Sequence, residues 1–307
     1  MHDLIIIGSG PAGLTAGLYA GRFRLSTLIL ERMSVGGQII LSSVIENFPG
    51  FPGGISTQDL IEKFKNQVNE VGVEIKNEEV LEIIPSFKLK TTLYNVRTEG
   101  GSYETKTIIV ATGASPKKLG IDGEERLVGR GVSYCGTCDG PLFRDKDIVV
   151  VGGGDRAIEE VIFLASYARK VTLVHRRQEL RASKILEEKA RSNPKIDFVL
   201  DTVLEQITGE NKVAGVKLKN VKNNLPSSVA CQGVFIFVGI IPNTHFLKNL
   251  LQVDEAGFII TDQNRKTSCE GIFACGDCTK KSLYQVVNAC GEAAVAADAA
   301  HKYLMNL

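Results

Sequence analysis

One pattern of apolar and polar positions occurs twice along the chain. Leu4-Ile5-Ile6-Ile7 is a short continuous apolar run rich in β-branched residues, as a strand buried on both faces requires. Gly8-Ser9-Gly10-Pro11-Ala12-Gly13 follows directly. Apolar residues then recur at helical spacing through Leu14, Leu18 and Tyr19, and a second run, Thr27-Leu28-Ile29-Leu30, ends at Glu31. The same order returns in Ile148-Val149-Val150-Val151, Gly152-Gly153-Gly154-Asp155-Arg156-Ala157, a helical pattern through Ile158, Val161, Ile162 and Leu164, and Val171-Thr172-Leu173-Val174 ending at His175. Gly8 and Gly152 stand 144 residues apart, and so do Glu31 and His175. A repeat with matched internal spacing predicts an α/β protein with two Rossmann-like, three-layer nucleotide-binding domains.

Between the repeats, Thr57 to Val71 alternates at helical spacing, and Val73 to Val110 predicts several short strands with a hairpin turn at Gly100-Gly101. Glu46 to Gly54 holds two prolines and three glycines and fits neither helix nor strand interior, so it reads as a rigid loop. Ile108-Ile109-Val110 runs into Ala111-Thr112-Gly113-Ala114-Ser115-Pro116, where a strand stops and the chain is expected to change domain. Val234 to Gly239 has the same look, with Ile240-Ile241-Pro242-Asn243 as the return. A long alanine-rich helix follows, through Ala289 to Leu304.

A chain of 307 residues suits about two domains, and 44% hydrophobic residues suffice for large buried sheets. A net charge of +1, without a basic face carrying aromatics, argues against nucleic acid or an anionic membrane surface as partner. No apolar run approaches the roughly 20 residues of a membrane span. Seven scattered cysteines, and only three residues before the first apolar run, lead to the expectation of a soluble cytoplasmic thiol protein without a signal peptide.

The chemistry follows from three places. In the first repeat Gly8 permits the tight turn, Gly10 the approach of backbone N–H groups to a pyrophosphate, and Gly13 close packing of helix on strand. Glu31 is placed to accept from a ribose hydroxyl. In the second repeat the terminal acid is replaced by His175-Arg176-Arg177, with Arg181 beyond. Arginines bind a 2′-phosphate that an acid would repel, which points to NADP rather than NAD; the plain alternative is a solvated charge run. Between the repeats lies Cys135-Gly136-Thr137-Cys138-Asp139-Gly140. It reads as a redox pair, half of a zinc site or a structural disulfide. No second ligand pair follows within thirty residues, and a reducing compartment disfavours a closed bridge. Cys275-Gly276-Asp277-Cys278 is a second such spacing and reads as packing, with Gly276 allowing close backbone approach and Asp277 offering a hydrogen bond to a polyol.

Taken together these motifs closely resemble the bacterial-type, low-molecular-weight thioredoxin reductases over essentially the whole chain. The resemblance implies an FAD-containing homodimer that passes electrons from NADPH to flavin, then to the cysteine pair, then to thioredoxin. It implies an FAD domain of residues 1–116 and 243–307, split by an NADPH domain, 117–242, that carries the pair. By position, Cys138 is the sulfur nearest the flavin, Cys135 attacks thioredoxin and Asp139 is the general acid. Flavin positions implied are Gly8, Ser9, Gly10, Ala12, Gly13, Glu31, Arg32, Gly37, Gln38, Asn47, Ala111, Thr112, Gly113, Gly276, Asp277, Gln285 and Val286. NADPH positions implied are Gly152, Gly154, Asp155, Ala157, His175, Arg176, Arg177 and Arg181. No metal is implied. Arg156 stands where this family has a small hydroxyl or amide residue, Tyr284 where it has an arginine, and Cys275 and Cys290 where it has small residues. The rival readings are a dithiol oxidase or a ferredoxin-supplied reductase of the same architecture, and, of another class, a nucleotide-binding redox sensor or a zinc-stabilised binding protein. Asp139 argues against the oxidase and the arginine cluster against ferredoxin. The need for the pair to meet both flavin and a protein substrate leads to the expectation that the inserted domain turns about residues 114–117 and 240–243.

Overall fold

The computed structural model describes every residue except Ser42, Ser43, Glu46, Leu89, Lys90, Cys135 and Lys248, and only the backbone of Leu41, Val44, Phe87, Lys88, Thr91, Thr92, Thr137 and Cys138. In chain order the elements that position the site are β1 (His2–Ile7), α1 (Pro11–Arg22), β2 (Thr27–Glu31), β3 (Ser102–Val110), α2 (Gly136–Asp139), β4 (Asp147–Gly152), α3 (Asp155–Ala165), β5 (Lys170–Val174), β6 (Gly233–Phe237), β7 (Ile272–Ala274) and α4 (Val286–Met305). The chain divides into two compact units, Met1–Ser115 with Ile241–Leu307, and Pro116–Ile240. Short strands Ala114–Pro116 and Ile240–Pro242 pair with each other where the chain crosses between them.

The first unit is built on a sheet in the order Glu74–Asn77, β2, β1, β3, Thr91–Thr98, Val80–Lys88, with β7 on the other side of β3. β1, β2, β3 and β7 are mutually parallel, with Ile5 opposite Leu28 and Ile108, and Phe273 opposite Ile109. Alternate residues of β1 serve opposite faces. Leu4 and Ile6 pack with Leu14, Ile29, Ile109, Ala293 and Ala297 under the helices, whereas Ile5 and Ile7 pack with Leu28, Val110, Leu247 and Ile259. Burial on both faces explains why β1 is apolar throughout rather than alternating. Each fully buried side chain of this kind contributes about 1.5–3 kcal/mol. The antiparallel extension turns at Gly100-Gly101, where Thr98 N–H donates to Gly101 O at 2.8 Å. Its strands run eight to nine residues and are longer than the short strands expected. The helix Thr57–Glu70 starts at Ser56, whose hydroxyl accepts from the Asp59 N–H at 3.0 Å.

The second unit repeats the design with an all-parallel sheet, Val132–Ser133, β6, β4, β5, Ile196–Val199. Ile148 and Val150 pack with α3 residues Ile158, Val161 and Leu164. Val149 and Val151 face Leu204, Ile207, Val216 and Leu218 of an antiparallel sheet formed by Thr202–Thr208, Gly215–Asn220 and Pro226–Ala230. Helices therefore cover one face of the parallel sheet and a second sheet covers the other. No helix among the described residues is long and apolar enough to cross a membrane.

Candidate active site

In the first unit β1 delivers the chain to Gly8, whose φ of +104° and close approach to the Ala111 carbonyl exclude a side chain. A Cβ on Gly13 would collide with the Gly8 carbonyl, so this glycine lets α1 lie against the turn. Gly10 is different. It is the N-cap of α1, has no side chain to cap the first turn, and a Cβ there would find no atom nearer than 3.9 Å. The first-turn N–H groups of α1 are thus left open to an anion. Glu31 at the end of β2 turns back on this loop, where Oε2 accepts from both the Ser9 N–H and the Ser9 hydroxyl at 2.8 Å. Oε1 accepts from the Met33 N–H at 3.0 Å. Arg32 pairs with Glu79 at 3.7 Å on the surface.

The remaining positions expected from the sequence to hold flavin lie around this end of the sheet. Gly36 N–H donates to Ser9 O, and Gly37, with φ of +60°, packs 3.1 Å from the Gly10 Cα when given a Cβ. Gln38 follows within a 3₁₀ turn, Gly37–Leu41. Cys275 N–H donates to Val110 O, which brings the turn Gly276–Cys278 beside the start of α1, where the missing Cβ of Gly276 is filled by Ala12. Gly113 takes φ of +64°, and Asn243 grips this corner from the return segment, its side-chain amide donating to Thr112 O at 2.9 Å. Asn47 donates to Gln285, the N-cap of α4, at 3.0 Å, joining residues 238 apart in sequence; Val286 opens that helix.

Cys275 and Cys278 are both free and fully buried, and Cys278 donates to the Cys275 carbonyl. Burial holds the Cys275 thiol well above its ordinary range and pushes that of Cys278 up to about 11. Full burial that opposes thiolate formation fits the reading of this second spacing as packing. A residue missed by the sequence reading lies alongside. Glu292, 5% exposed, accepts from the Gly276 N–H at 2.9 Å, from Lys281, from Arg265 at 3.2 Å and from Asn288 at 3.2 Å. It fixes the Gly276-Asp277 turn against α4. Its signal in the sequence is one acid on the stripe Ala289, Ala293, Ala296, Ala300.

In the second unit Gly152 lies against Ala157 and the Phe237 carbonyl, while Gly154 caps α3 with nothing within 4 Å of a Cβ. The uncapped start of α3 again suits a phosphate. Asp155 is turned aside to accept from the Ser183 N–H at 2.6 Å, and Arg181 N–H donates to Gly153 O at 2.6 Å, so the loop after β5 closes onto the glycine turn. The His175 ring occupies the space over Gly153, and burial, the largest influence on it, lowers its pKa. Arg176, Arg177 and Arg181 are exposed, and among the described residues none of them is paired with a carboxylate.

Cys135 lies outside the described residues. Cys138 and Asp139 fall in α2, which packs on α3; Asp139 is partly exposed. Two buried glutamates that the sequence reading passed over flank this motif. Glu124, 1% exposed, accepts from the N–H groups of Leu119 at 2.9 Å and Gly120 at 2.6 Å and from the Tyr134 hydroxyl at 2.7 Å, anchoring the residue before Cys135. Glu160, 6% exposed, accepts from the Gly136 N–H, and a Cβ on Gly136 would strike its Oε2.

The chain matches the family model for pyridine nucleotide-disulphide oxidoreductases over residues 2–293, and it belongs to that family. It is 44% identical to a thioredoxin reductase of Peptoclostridium acidaminophilum, covering 99% of this chain and 97% of that one. A thioredoxin reductase of Bacillus subtilis is 41% identical, with 100% and 96% covered. The crystal structure of a thioredoxin reductase from Lactococcus lactis superposes with a TM-score of 0.95 at 42% identity, covering both chains in full. Within the family the chain is of the low-molecular-weight thioredoxin reductase type.

Proposed function

We propose that the chain transfers electrons from NADPH through FAD to a disulfide between Cys135 and Cys138, and from that pair to a thioredoxin. The observation that carries this reading is the doubled glycine cradle. Both helix starts are open to a phosphate, but only the first is followed by an acid at the strand end. On this reading Gly8, Ser9, Gly10, Ala12, Gly13, Glu31, Arg32, Gly37, Gln38, Asn47, Ala111, Thr112, Gly113, Gly276, Asp277, Gln285 and Val286 hold FAD. Gly152, Gly154, Asp155, Ala157, His175, Arg176, Arg177 and Arg181 hold NADPH. The bound cofactors supply two-electron transfer to the disulfide. The first unit is then a flavin domain, the second an inserted nucleotide domain, and the working form a cytosolic homodimer.

The residues of this chain have separable tasks. Arg176, Arg177 and Arg181 recognise the 2′-phosphate by charge-assisted bonds that an unphosphorylated ribose cannot make. Asp139, in the helix of Cys138, donates the proton to the departing sulfur in thiol–disulfide exchange. Glu124 and Tyr134 hold the approach to Cys135 rigid. Anaerobic NADPH should bleach the yellow holoprotein, and adding the organism's thioredoxin with insulin should give continuous NADPH oxidation. A preparation bleached by reduced ferredoxin but not by NADPH would overturn the assignment of the second cradle.

A further inference from the structure

We propose that Glu160 is a positioning residue for the redox pair, a buried carboxyl that holds the Gly136 N–H and whose charge sets how nucleophilic the adjoining cysteines are. The inference rests on the proposed role of Cys135 and Cys138. Gly136 follows Cys135 in the chain, and Cys138 lies two residues further along α2. Glu160 is one of the buried residues of α3, and the only acid among Ala157, Ile158, Val161, Leu164 and Ala165. Its Oε2 is buried without a hydrogen-bond partner among the described residues. Gly136 has no side chain, and any other residue would drive the carboxyl out. The charges that bear on Glu160 are Arg156, one turn earlier on α3, and Glu159 beside it; α2 contributes the Gly136 N–H and carries Asp139. Burial raises its pKa to about 7, so it changes charge near neutral pH.

The chemistry gives that charge a consequence. A thiolate of the reduced pair attacks one sulfur of the thioredoxin disulfide, and an S–S bond forms between the proteins as the thioredoxin S–S bond breaks. The leaving sulfur takes a proton. The second cysteine then attacks the mixed disulfide, releasing dithiol thioredoxin and closing the Cys135–Cys138 bond, so two electrons and two protons pass to thioredoxin. An ionised Glu160 held at the N–H of Gly136, the residue that follows Cys135 in the chain, disfavours the attacking thiolate, and a neutral one does not. As pH rises through neutrality, its ionisation opposes that of the thiol and flattens the rise in nucleophilicity.

The test uses the reduced holoenzyme, with iodoacetamide labelling of the Cys135–Cys138 peptide followed by mass spectrometry from pH 5.5 to 9. Glu160→Gln keeps an acceptor for Gly136 and removes the charge; labelling at pH 7 should rise about three- to tenfold, with a single steeper transition replacing the broad profile. A profile identical to that of the unaltered enzyme overturns the proposal. A second measurement needs no variant. Carboxyl ¹³C resonances of glutamate-labelled wild-type holoenzyme should include one whose titration moves up by half a pH unit or more when the pair is reduced. No redox-dependent glutamate titration would overturn the proposal even if the Gln variant failed to fold. Cys138→Ser separates the two levels. Full thioredoxin turnover in that variant would remove the pair itself, whereas loss of turnover with an unchanged Gln profile would remove only Glu160.

Discussion

The two βαβ repeats share their strands, their helix and their open glycine cap, yet they end differently. In the first, Glu31 is already engaged by Ser9 of its own glycine loop and closes the strand with a carboxylate. In the second, buried His175, its pKa lowered by burial, packs on Gly153, while Arg176, Arg177 and Arg181 face solvent without acidic partners among the described residues. The common part is what any dinucleotide pyrophosphate demands of a backbone. On the proposed reading the divergent part is where FAD and NADPH differ. Fold and specificity therefore lie on separate residues, and each can be altered without the other.

Each unit also holds one Cys-x-x-Cys, which gives the largest expected contrast. Cys138→Ser should lower thioredoxin turnover by about a thousandfold or more while leaving flavin content and NADPH bleaching intact, because a missing nucleophile is not replaced by binding. Cys278→Ser, in the fully buried pair of the first unit, should keep turnover within about threefold. Steady-state insulin reduction measures both. Loss of turnover in the Cys278 variant alone would exchange the roles of the two pairs.

Next in size is the strand-end contrast. Two charge-assisted contacts contribute about 1.5–3 kcal/mol each when shielded, but Arg176 and Arg177 are exposed and screening discounts them. Arg176→Ala with Arg177→Ala should raise the NADPH KM by about two decades and change NADH use little. An equal rise for both nucleotides would mean that these arginines hold structure instead.

Much of this was legible in the sequence. The paired apolar runs and glycine spacing marked the central parallel strands of both units, because strands buried on two faces leave no polar positions inside. The antiparallel layer at Thr202–Ala230 has a fainter signal, the alternation of Val216 and Leu218 with Lys217 and Lys219 across its middle strand. Glu124, Glu160 and Glu292 escaped for another reason. A lone acid can show as an interruption of an apolar stripe, as Glu292 does, but nothing local names its role, since the partners (Tyr134, Gly136, Lys281) come from other segments. The meeting of Asn47 with Gln285 is invisible to spacing for the same reason.

A smaller effect separates two glycines of the cradles. Gly13→Ala forces a methyl into the Gly8 carbonyl and should cost about 3 kcal/mol by overpacking, read as a lower denaturant midpoint. Gly154→Ala meets nothing within 4 Å and should leave the midpoint nearly unchanged, while raising the NADPH KM because the methyl enters the phosphate cradle. A KM unmoved by Gly154→Ala would show that the phosphate does not lie there.

The last contrast is between the buried carboxylates Glu292 and Glu160. Glu292 has two cations and a backbone donor in the first unit, so its charge is compensated where it stands. Glu160 has the Gly136 N–H and the field of Arg156, and burial outweighs both, holding its pKa at about 7. The sign of the linkage follows. A carboxyl whose folded pKa lies above its unfolded value of about 4.5 binds more protons in the folded state. Its contribution is full below pH 4.5 and is lost as pH rises through 7. The span corresponds to about 3 kcal/mol, or several degrees in Tm. Glu160→Gln has no proton to lose there. Thermal unfolding should find wild type and variant equal near pH 4.5 and the variant more stable by about 5 °C at pH 8. Parallel Tm curves across that range would mean that Glu160 is ionised throughout, with Arg156 compensating it as Lys281 and Arg265 compensate Glu292.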